Sequence, residues 1–143
     1  MIIIAHRGNL NGPNPDKENH PDYIMEAFKS GFDVEIDLRL IDNKLYLGHD
    51  IPQYEINKDF LFLSGLWIHC KNIEALRFLL EYKQYLNFFF HDKDNCTLTS
   101  QGFIWTYPKN LLITNKSIAV MPELVPKWDY SNAFGICTDF IKY

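Results

Sequence analysis

The sequence predicts a small α/β protein with a parallel sheet in its first half. Short apolar runs alternate there with helical patterns in the order strand, helix, strand, strand, helix, strand, which favours parallel strands. The chain has 143 residues, 47% hydrophobic and 15% aromatic, which is typical of a globular protein that buries a core. No repeat or low-complexity segment divides it, so we expect one domain spanning residues 1–143.

The first strand and the first helix are separated by a polar loop. The apolar run at residues 2–5 predicts a short buried strand, and residues 9–19 are rich in Asn, Pro and Gly, as loops are. A helix is predicted over residues 21–30, because Pro21 suits the first helical turn and Gly31 suits the stop.

The next segment predicts a strand and a hairpin. Residues 32–40 alternate strictly between apolar and polar side chains, and residues 42–43 form a turn signal before a return arm at 44–48. Glu35 and Asp37 point to the same side of this strand with Cα atoms about 7 Å apart, close enough to share one divalent cation. The alternative is an antiparallel strand whose charged face is solvated.

The rest of the chain predicts one more helix and several strands. Strands at 66–70 and 88–90 flank a helix predicted over 73–85, which Asn72 can cap. Beyond it the apolar runs are joined by turns too short for helices, and strands are predicted at residues 103–106, 111–114, 117–121 and 135–138.

Charge, the start of the chain and the cysteines exclude several classes of protein. A formal net charge of −4 leaves no basic surface for nucleic acid, so a phosphate-bearing partner must be held by a few Arg or Lys residues or by a metal. The apolar start at residues 1–5 is too short for a signal peptide or a membrane span, and we expect a cytoplasmic protein. The widely spaced Cys70, Cys96 and Cys137 indicate reduced, mostly buried thiols.

Histidines gather at the ends of the predicted strands. Of five histidines, four directly close an apolar run, namely His6, His49, His69 and His91. The carboxyl ends of parallel strands meet at one rim, where such folds place their chemistry. A lone histidine after a strand is more often a structural residue, but four in this position favour a functional cluster. The hairpin can have a three-residue loop at 42–44 or a two-residue loop, which shifts the pairing by one residue. With either loop His49 returns beside Glu35 and Asp37.

Four sequence blocks resemble the opening third of the glycerophosphodiester phosphodiesterase family. They are AHRG at 5–8, ENHP at 18–21, GFDVEIDLRL at 31–40 and LGHD at 47–50, and the resemblance rests on their order and spacing. Further on, WIHCKN at 67–72 stands where the family usually carries Glu-x-Lys, and GICTDF at 135–140 resembles its last strand.

The resemblance implies a fold. The family belongs to the phosphatidylinositol phospholipase C-like phosphodiesterases, which are TIM barrels. A (β/α)₈ barrel typically needs about 250 residues, whereas this chain has 143. The resemblance therefore implies a shortened or incomplete TIM-type (β/α) barrel that lacks outer helices in its second half. Such a barrel exposes apolar strand faces that a second copy of the chain, in a homo-oligomer, could cover.

The resemblance also implies roles for individual residues. His6 and His49 match the general acid/base pair, Arg7 and Lys71 the phosphate-holding residues, Glu35 and Asp37 the metal ligands, and Glu18 an acidic position near the metal, as ligand or hydrogen-bond partner. His69 replaces the family's third acidic ligand. Two carboxylates favour Mg²⁺ or Ca²⁺, and the added imidazole extends the choice to Mn²⁺, Zn²⁺ or Fe²⁺.

Polar and aromatic residues further along extend the predicted site. His91, Asp92 and Asp94 either contact the substrate or form a solvated acidic turn after a strand. Trp105 and Tyr107 offer a flat wall to the leaving group, although buried aromatic rings more often belong to the core.

Together these residues predict metal-dependent hydrolysis of a small phosphodiester, such as a glycerophosphodiester, with histidine acid/base catalysis. Two alternatives stay open. One is a catalytically inactive protein of the same fold that binds a phospho-ligand, which the replacement by His69 and the short chain both motivate. The other is a metal-dependent hydrolase that cleaves a non-phosphate bond at the histidine-rich rim.

Overall fold

The structure, a computed structural model, describes residues 1–109 and 111–141, in which ten strands form one curled mixed sheet. In chain order the strands are β1 (Ile2–His6), β2 (Asp33–Ile41), β3 (Lys44–Leu47), β4 (Tyr54–Ile56), β5 (Leu66–Cys70), β6 (Phe88–Phe90), β7 (Cys96–Leu98), β8 (Ile104–Thr106), β9 (Ser117–Val120) and β10 (Gly135–Thr138). The helices are α1 (Pro21–Lys29), α2 (Ile73–Leu80) and two short 3₁₀ helices, Lys58–Phe62 and Pro122–Leu124.

The central part of the sheet is parallel, in the order β6-β5-β2-β1-β10-β9-β8. The hairpin of β3 and β4 adds antiparallel strands to β2, and β7 lies antiparallel to β8. The two ends of the sheet, β6 and β7, lie close to each other. The Ser100 amide donates a 2.8 Å hydrogen bond to the carbonyl of Phe88, and Thr97 Oγ1 donates one of 3.0 Å to the carbonyl of Phe90.

The expected TIM-type barrel is wrong, even in a shortened form. In the described residues, an α-helix follows only β1 and β5, and loops and 3₁₀ turns make the other connections. Among the described residues, the segments between β8 and β9 and between β9 and β10 contain no α-helix, only the 3₁₀ helix Pro122–Leu124. Instead their own side chains cover the sheet: Trp128 packs with Ile113 on Ala119, and its Nε1 donates a 3.0 Å hydrogen bond to the carbonyl of Leu111.

Two further predictions of local structure are also wrong. The strand predicted at 111–114 is irregular, because this segment packs under Trp128 instead of pairing with a neighbour. The helix predicted over 73–85 ends at Leu80, and turns at 81–85 bring Leu86 into the core at 4% exposure.

The helices of the described residues all lack the length and apolar character needed to cross a bilayer.

The apolar residues form a core on each side of the sheet. Outside the curl, α1 and α2 pack Ile24, Ala27, Ala75 and Leu79 onto the even-numbered residues of β2. Inside the curl lies a second cluster, comprising Ile4, Trp67, Phe89, Trp105, Ile118, Val120 and Cys137. The odd-numbered Glu35 and Asp37 of β2 therefore point into the curl, at 2% and 1% exposure, and the alternative of a solvated charged face is wrong.

The hairpin has a two-residue loop. Ile41 pairs with Lys44, and Asp42 and Asn43 between them both adopt left-handed backbone, with φ of 50° and 60°. This is the conformation of a type I′ turn, whose twist matches that of the flanking strands. Of the two- and three-residue loops that the sequence allows, the two-residue loop is thus formed, and the Gly48 amide donates a 3.0 Å hydrogen bond to the carbonyl of Asp37.

Asn43→Gly is expected to raise the free energy of unfolding by about 0.5 kcal/mol, because glycine adopts left-handed backbone without a steric cost. The matched Asn43→Ala variant is expected to lower it by about 1 kcal/mol, because the side-chain amide of asparagine can hydrogen-bond locally in left-handed backbone and the methyl group of alanine cannot. Urea unfolding followed by circular dichroism measures both. Equal midpoints for the two variants would contradict the type I′ turn.

The three cysteines are free thiols with different accessibility. Cys70 and Cys137 are buried and Cys96 is exposed. Burial raises the pKa of Cys70 to about 12 and that of Cys137 well above its ordinary value. Ellman's reagent is therefore expected to modify only Cys96 in the native protein within minutes, and the other two at the rate of unfolding. If a thiol still reacts within minutes in the Cys96→Ser variant, then Cys70 or Cys137 is accessible and the expectation is wrong.

Candidate metal centre and catalytic cavity

Parallel pairing brings the predicted ligands together, near the carboxyl ends of β1 and β5 and in the first half of β2. His6, the last residue of β1, is in register with Glu35 of β2, and Asp37 of β2 is in register with His69 of β5. All four side chains are buried. Because one face of each strand points into the curl, these residues share one polar layer above the apolar interior.

Glu35, Asp37 and His69, here called the metal trio, have ligand atoms that all lie within 4.8 Å of one another. His69 Nδ1 lies 3.3 Å from Asp37 Oδ1 and 3.7 Å from Glu35 Oε1. Carboxylate oxygens and imidazole nitrogen are the donor atoms of divalent metal sites. The residues present therefore provide three ligands for one cation.

Two details of hydrogen bonding fit a cation at the metal trio. Asp37 Oδ1 is buried and forms no hydrogen bond of good geometry in the described part of the chain; only His69 Nδ1 faces it, at 3.3 Å, so a metal ion there would satisfy it. His69 Nε2 donates a 3.4 Å hydrogen bond to the carbonyl of His91, which leaves Nδ1 as the ligand atom facing the carboxylates.

The side chains of the metal trio shift one another's pKa values. Burial lowers the pKa of His69, but the carboxylates of Asp37 and Glu35 outweigh it and raise that pKa to about 9. Burial also acts to raise the pKa of Asp37, but His69 and Arg7 hold it below its ordinary value. Without a metal, an imidazolium therefore lies beside the two carboxylates at neutral pH, and a divalent cation would replace its positive charge.

Asn19 holds Asp37 in place. Its side-chain Nδ2 donates a 2.9 Å hydrogen bond to Asp37 Oδ2, and its Oδ1 accepts one of 2.9 Å from the Asp37 amide. Asn19 itself adopts left-handed backbone, with φ of 63°, which asparagine tolerates better than most residues. The loop before α1 thus provides a fixed partner for one carboxylate oxygen and leaves the other oxygen for the trio.

His6 forms a hydrogen-bonded pair with Asp139, which follows β10. The Nδ1 of His6 donates a 2.7 Å hydrogen bond to Asp139 Oδ1, and the Nε2 lies 3.9 Å from Glu35 Oε2. Burial lowers the pKa of His6, but Asp139 and Glu35 outweigh it, so this pKa lies above its ordinary value. The pair orients the ring and leaves its Nε2 able to accept a proton from the cavity.

Arg7 and Glu18 form an ion pair beside the metal trio. Arg7 Nη1 donates a 3.0 Å hydrogen bond to Glu18 Oε2, and its Nε lies 3.1 Å from Asp37 Oδ2. Glu18 Oε1 accepts a 2.9 Å hydrogen bond from Asn9 Nδ2. Glu18 thus acts as a hydrogen-bond partner of Arg7 and lies outside the three-ligand group. Arg7 Nη2 forms no hydrogen bond within residues 1–109 and 111–141.

One cavity of about 280 Å³ unites most of the predicted site residues. It is lined by His6, Arg7, Glu35, His49, His69, Lys71, His91, Asp92, Trp105, Tyr107, Val120 and Met121. A second cavity of about 240 Å³ shares Arg7 and His49 with it and is bounded by Glu18 and Asp50. The predicted rim of strand ends therefore forms a concave site with a side pocket.

The residues predicted to contact the substrate differ in their exposure and in the contacts that their side chains already form. Lys71 has no ion pair or hydrogen bond from its side chain in the described residues and faces the cavity. His49 lies at the mouth with its side chain 38% exposed, and its Nδ1 donates a 2.7 Å hydrogen bond to Asp50. The ring of His91 stacks on Tyr107 at 3.8 Å, whereas Trp105 is only 2% exposed and forms the floor of the cavity.

Three residues that line or lie behind this cavity adopt left-handed backbone. Arg7 has a φ of 52° and Met121 a φ of 44°, and both line it, while Asn19 contacts Asp37 behind it. Such conformations are costly for residues other than glycine and are often retained at functional sites. Their occurrence on both sides of the cavity favours a functional interpretation.

Two residues that support the site have roles that no sequence pattern predicted. Asp139 was noticeable, because it closes an apolar run as the histidines do, but its pairing with His6 spans 133 positions. Asn19 belongs to the ENHP block, but nothing in the sequence pointed to its contact with Asp37. Comparisons of the chain with protein-family models, with curated proteins and with solved structures give no match, so its function is inferred from the chemistry of the cavity.

Proposed function

We propose that this protein hydrolyses a small phosphodiester with the help of a divalent cation, as its resemblance to glycerophosphodiester phosphodiesterases implies. The observation that carries the proposal is a single cavity lined by Glu35 and His69 of the metal trio, by His6 of the His6–Asp139 pair, and by Arg7 and Lys71. Each of these groups has a use in phosphodiester cleavage, and the alternatives use fewer of them.

The substrate phosphate is anionic and therefore needs positive charge around it. Lys71 supplies a point charge that forms no ion pair in the described residues, and Arg7 keeps Nη2 for a phosphate oxygen. Arg7 is held in place from behind by Glu18, so it contributes one directed donor and not a bidentate fork. A divalent cation held by the metal trio would neutralise phosphate charge and stabilise charge that develops during cleavage.

Two histidines are suited to move protons on opposite sides of the phosphate. His6 is buried and hydrogen-bonded to Asp139, so its neutral ring accepts a proton at Nε2 from the attacking hydroxyl or water. His49 is half-exposed beside the side pocket, and its Nε2 is suited to protonate the departing alkoxide. In this proposal the leaving alcohol occupies the side pocket.

The proposal is tested by a matrix of metals and substrates. Chelator-treated protein is reloaded with Mg²⁺, Ca²⁺, Mn²⁺ or Zn²⁺ and assayed on bis(p-nitrophenyl) phosphate and on glycerophosphodiesters. We expect hydrolysis that depends on the metal and is lost in His6→Ala and Glu35→Ala. A phosphodiester that raises the melting temperature without being hydrolysed would support the inactive binding protein. Cleavage of carboxylic esters or amides that is indifferent to Arg7→Ala would support the other hydrolase.

A further inference from the structure

A larger cavity of about 460 Å³ lies at the opposite end of the strands. Its lining includes Ile2, Asp33 and Leu66, the first residues of β1, β2 and β5, together with Asn87 just before β6. The apolar interior of the curl separates this cavity from the 280 Å³ cavity that His6 and Glu35 line. In that interior the ring centroids of Trp67 and Trp105 lie 5.8 Å apart. Nothing in the proposed hydrolysis uses this larger cavity.

Asp33 places an uncompensated carboxylate in this cavity. Its Oδ2 accepts a 2.9 Å hydrogen bond from Trp67 Nε1, which fixes the group. Its Oδ1 accepts no hydrogen bond and meets no cation in the described part of the chain, and the lining contains no Lys, Arg or His. Gly65 leaves this oxygen uncovered, because a Cβ at that position would lie 2.7 Å from it. The cavity therefore presents a negative charge without a counter-ion.

Aromatic rings form the wall beside this carboxylate. The rings of Trp67 and Phe103 lie 5.1 Å apart, and those of Phe103 and Phe134 lie 4.7 Å apart. Phe134 is 39% exposed, so the row of rings extends from the interior to the surface. Aromatic faces attract cations and apolar groups alike. One of these rings already attracts a cation, since Lys116 Nζ lies 5.7 Å from the centroid of Phe103.

Asn87 adds an unpaired acceptor to the same wall. Its Oδ1 is buried and has no hydrogen-bond partner in the described residues. Buried polar atoms are seldom left unpaired, so an N–H donor that reaches Asn87 would remove an unfavourable state. A metal ion fits this lining poorly, because Asp33 is its only carboxylate and hard cations need several oxygen ligands.

We propose that this cavity binds a small organic ammonium ion, with Asp33 as its counter-ion and Trp67, Phe103 and Phe134 as its aromatic wall. The ammonium group donates to Asp33 Oδ1, and its apolar part packs against the rings. The volume lies within the range of small-molecule sites. The proposal is independent of the hydrolytic function, because the two cavities share no lining residue.

Benzylamine and benzyl alcohol, which have the same shape and differ in charge, test the proposal. Each is titrated into ¹⁵N-labelled protein while the amide of Gly65 and the indole N–H of Trp67 are followed by NMR. We expect benzylamine to shift both signals at low millimolar concentration and benzyl alcohol to bind about tenfold more weakly. Asp33→Asn is expected to weaken benzylamine binding by about tenfold, and the exposed control Asp59→Asn to leave it unchanged.

Three results would overturn the proposal. Equal binding of both probes would show an apolar cavity without charge recognition. Shifts confined to the amides of Met121 and Asn19 would place the amine at the metal trio instead. Unchanged affinity in Asp33→Asn would remove the counter-ion. If that variant does not fold, Phe103→Leu serves in its place, and the proposal then requires benzylamine binding to weaken by about threefold or more through loss of the cation–π contact.

Discussion

His6→Ala is expected to lower kcat for phosphodiester hydrolysis by about 10²–10⁴-fold. The reason is that His6 is the buried imidazole whose Nε2 faces the cavity, while its Nδ1 is held by Asp139 at 2.7 Å. The measurement is steady-state hydrolysis of bis(p-nitrophenyl) phosphate at a saturating metal concentration. His20→Asn is the matched control, because it replaces a histidine outside the cavity and keeps a side chain that can cap α1.

The positioning role of Asp139 is tested separately by pH. As a base, His6 must be neutral, so activity is lost when the pH falls through its pKa. Asp139 is one cause of the raised pKa of His6, and Asp139→Asn is therefore expected to move the acid limb of the kcat/KM profile to lower pH. A variant with lower kcat but an unmoved acid limb would make Asp139 a merely structural residue. Wild-type activity in His6→Ala would refute the assignment of His6 as the base.

Glu35→Gln is expected to weaken Mn²⁺ binding by about 100-fold or more, because it removes one charged ligand of the metal trio. Calorimetric titration of metal-free protein measures the affinity. In the wild type, metal at about 100 times its Kd should add about 2.7 kcal/mol to the free energy of unfolding, and the variant should lose this gain. Glu55→Gln is the control, since Glu55 is exposed and its one ion pair among the described residues is with Lys44, at 4.0 Å.

Asn19→Ala provides a graded test of the same centre. Asn19 does not belong to the metal trio but holds Asp37 through two hydrogen bonds of 2.9 Å. Loss of such a supporting residue typically reduces metal affinity by about 10–100-fold. We therefore expect Asn19→Ala to bind Mn²⁺ more weakly than the wild type and more tightly than Glu35→Gln. Metal binding that is equal in all three proteins would place any metal elsewhere.

The local patterns of the sequence predicted much of the candidate site. Strict alternation in the second strand placed Glu35 and Asp37 on one face, and the position of His6 and His69 after apolar runs placed them at strand ends. These predictions succeed because a strand has a period of two residues, and its ends are marked by the loss of apolar side chains. The structure brings His6, Glu35, His49 and His69 to the lining of one cavity, and Asp37 lies buried beside Glu35 and His69 in the metal trio.

The helix-poor second half escaped prediction for a different reason. The resemblance over residues 2–50 implied a TIM-type barrel, yet it covers none of the loops that replace the outer helices. How Trp128 covers the sheet depends on a contact with Leu111 across an irregular segment, and no periodic pattern encodes such a contact. Short strands such as β4 and β7 carry too few residues to show alternation.

By itself, the sequence determined which side chains face which side of a strand and where the strands end, because both follow from the local geometry of the backbone. Only the tertiary structure decided that Asp139 orients His6, that Asn19 holds Asp37, and that Glu18 pairs with Arg7 and stays outside the trio. Those contacts join residues far apart in the chain, and they exist only once strand order and register bring β1, β2 and β10 side by side.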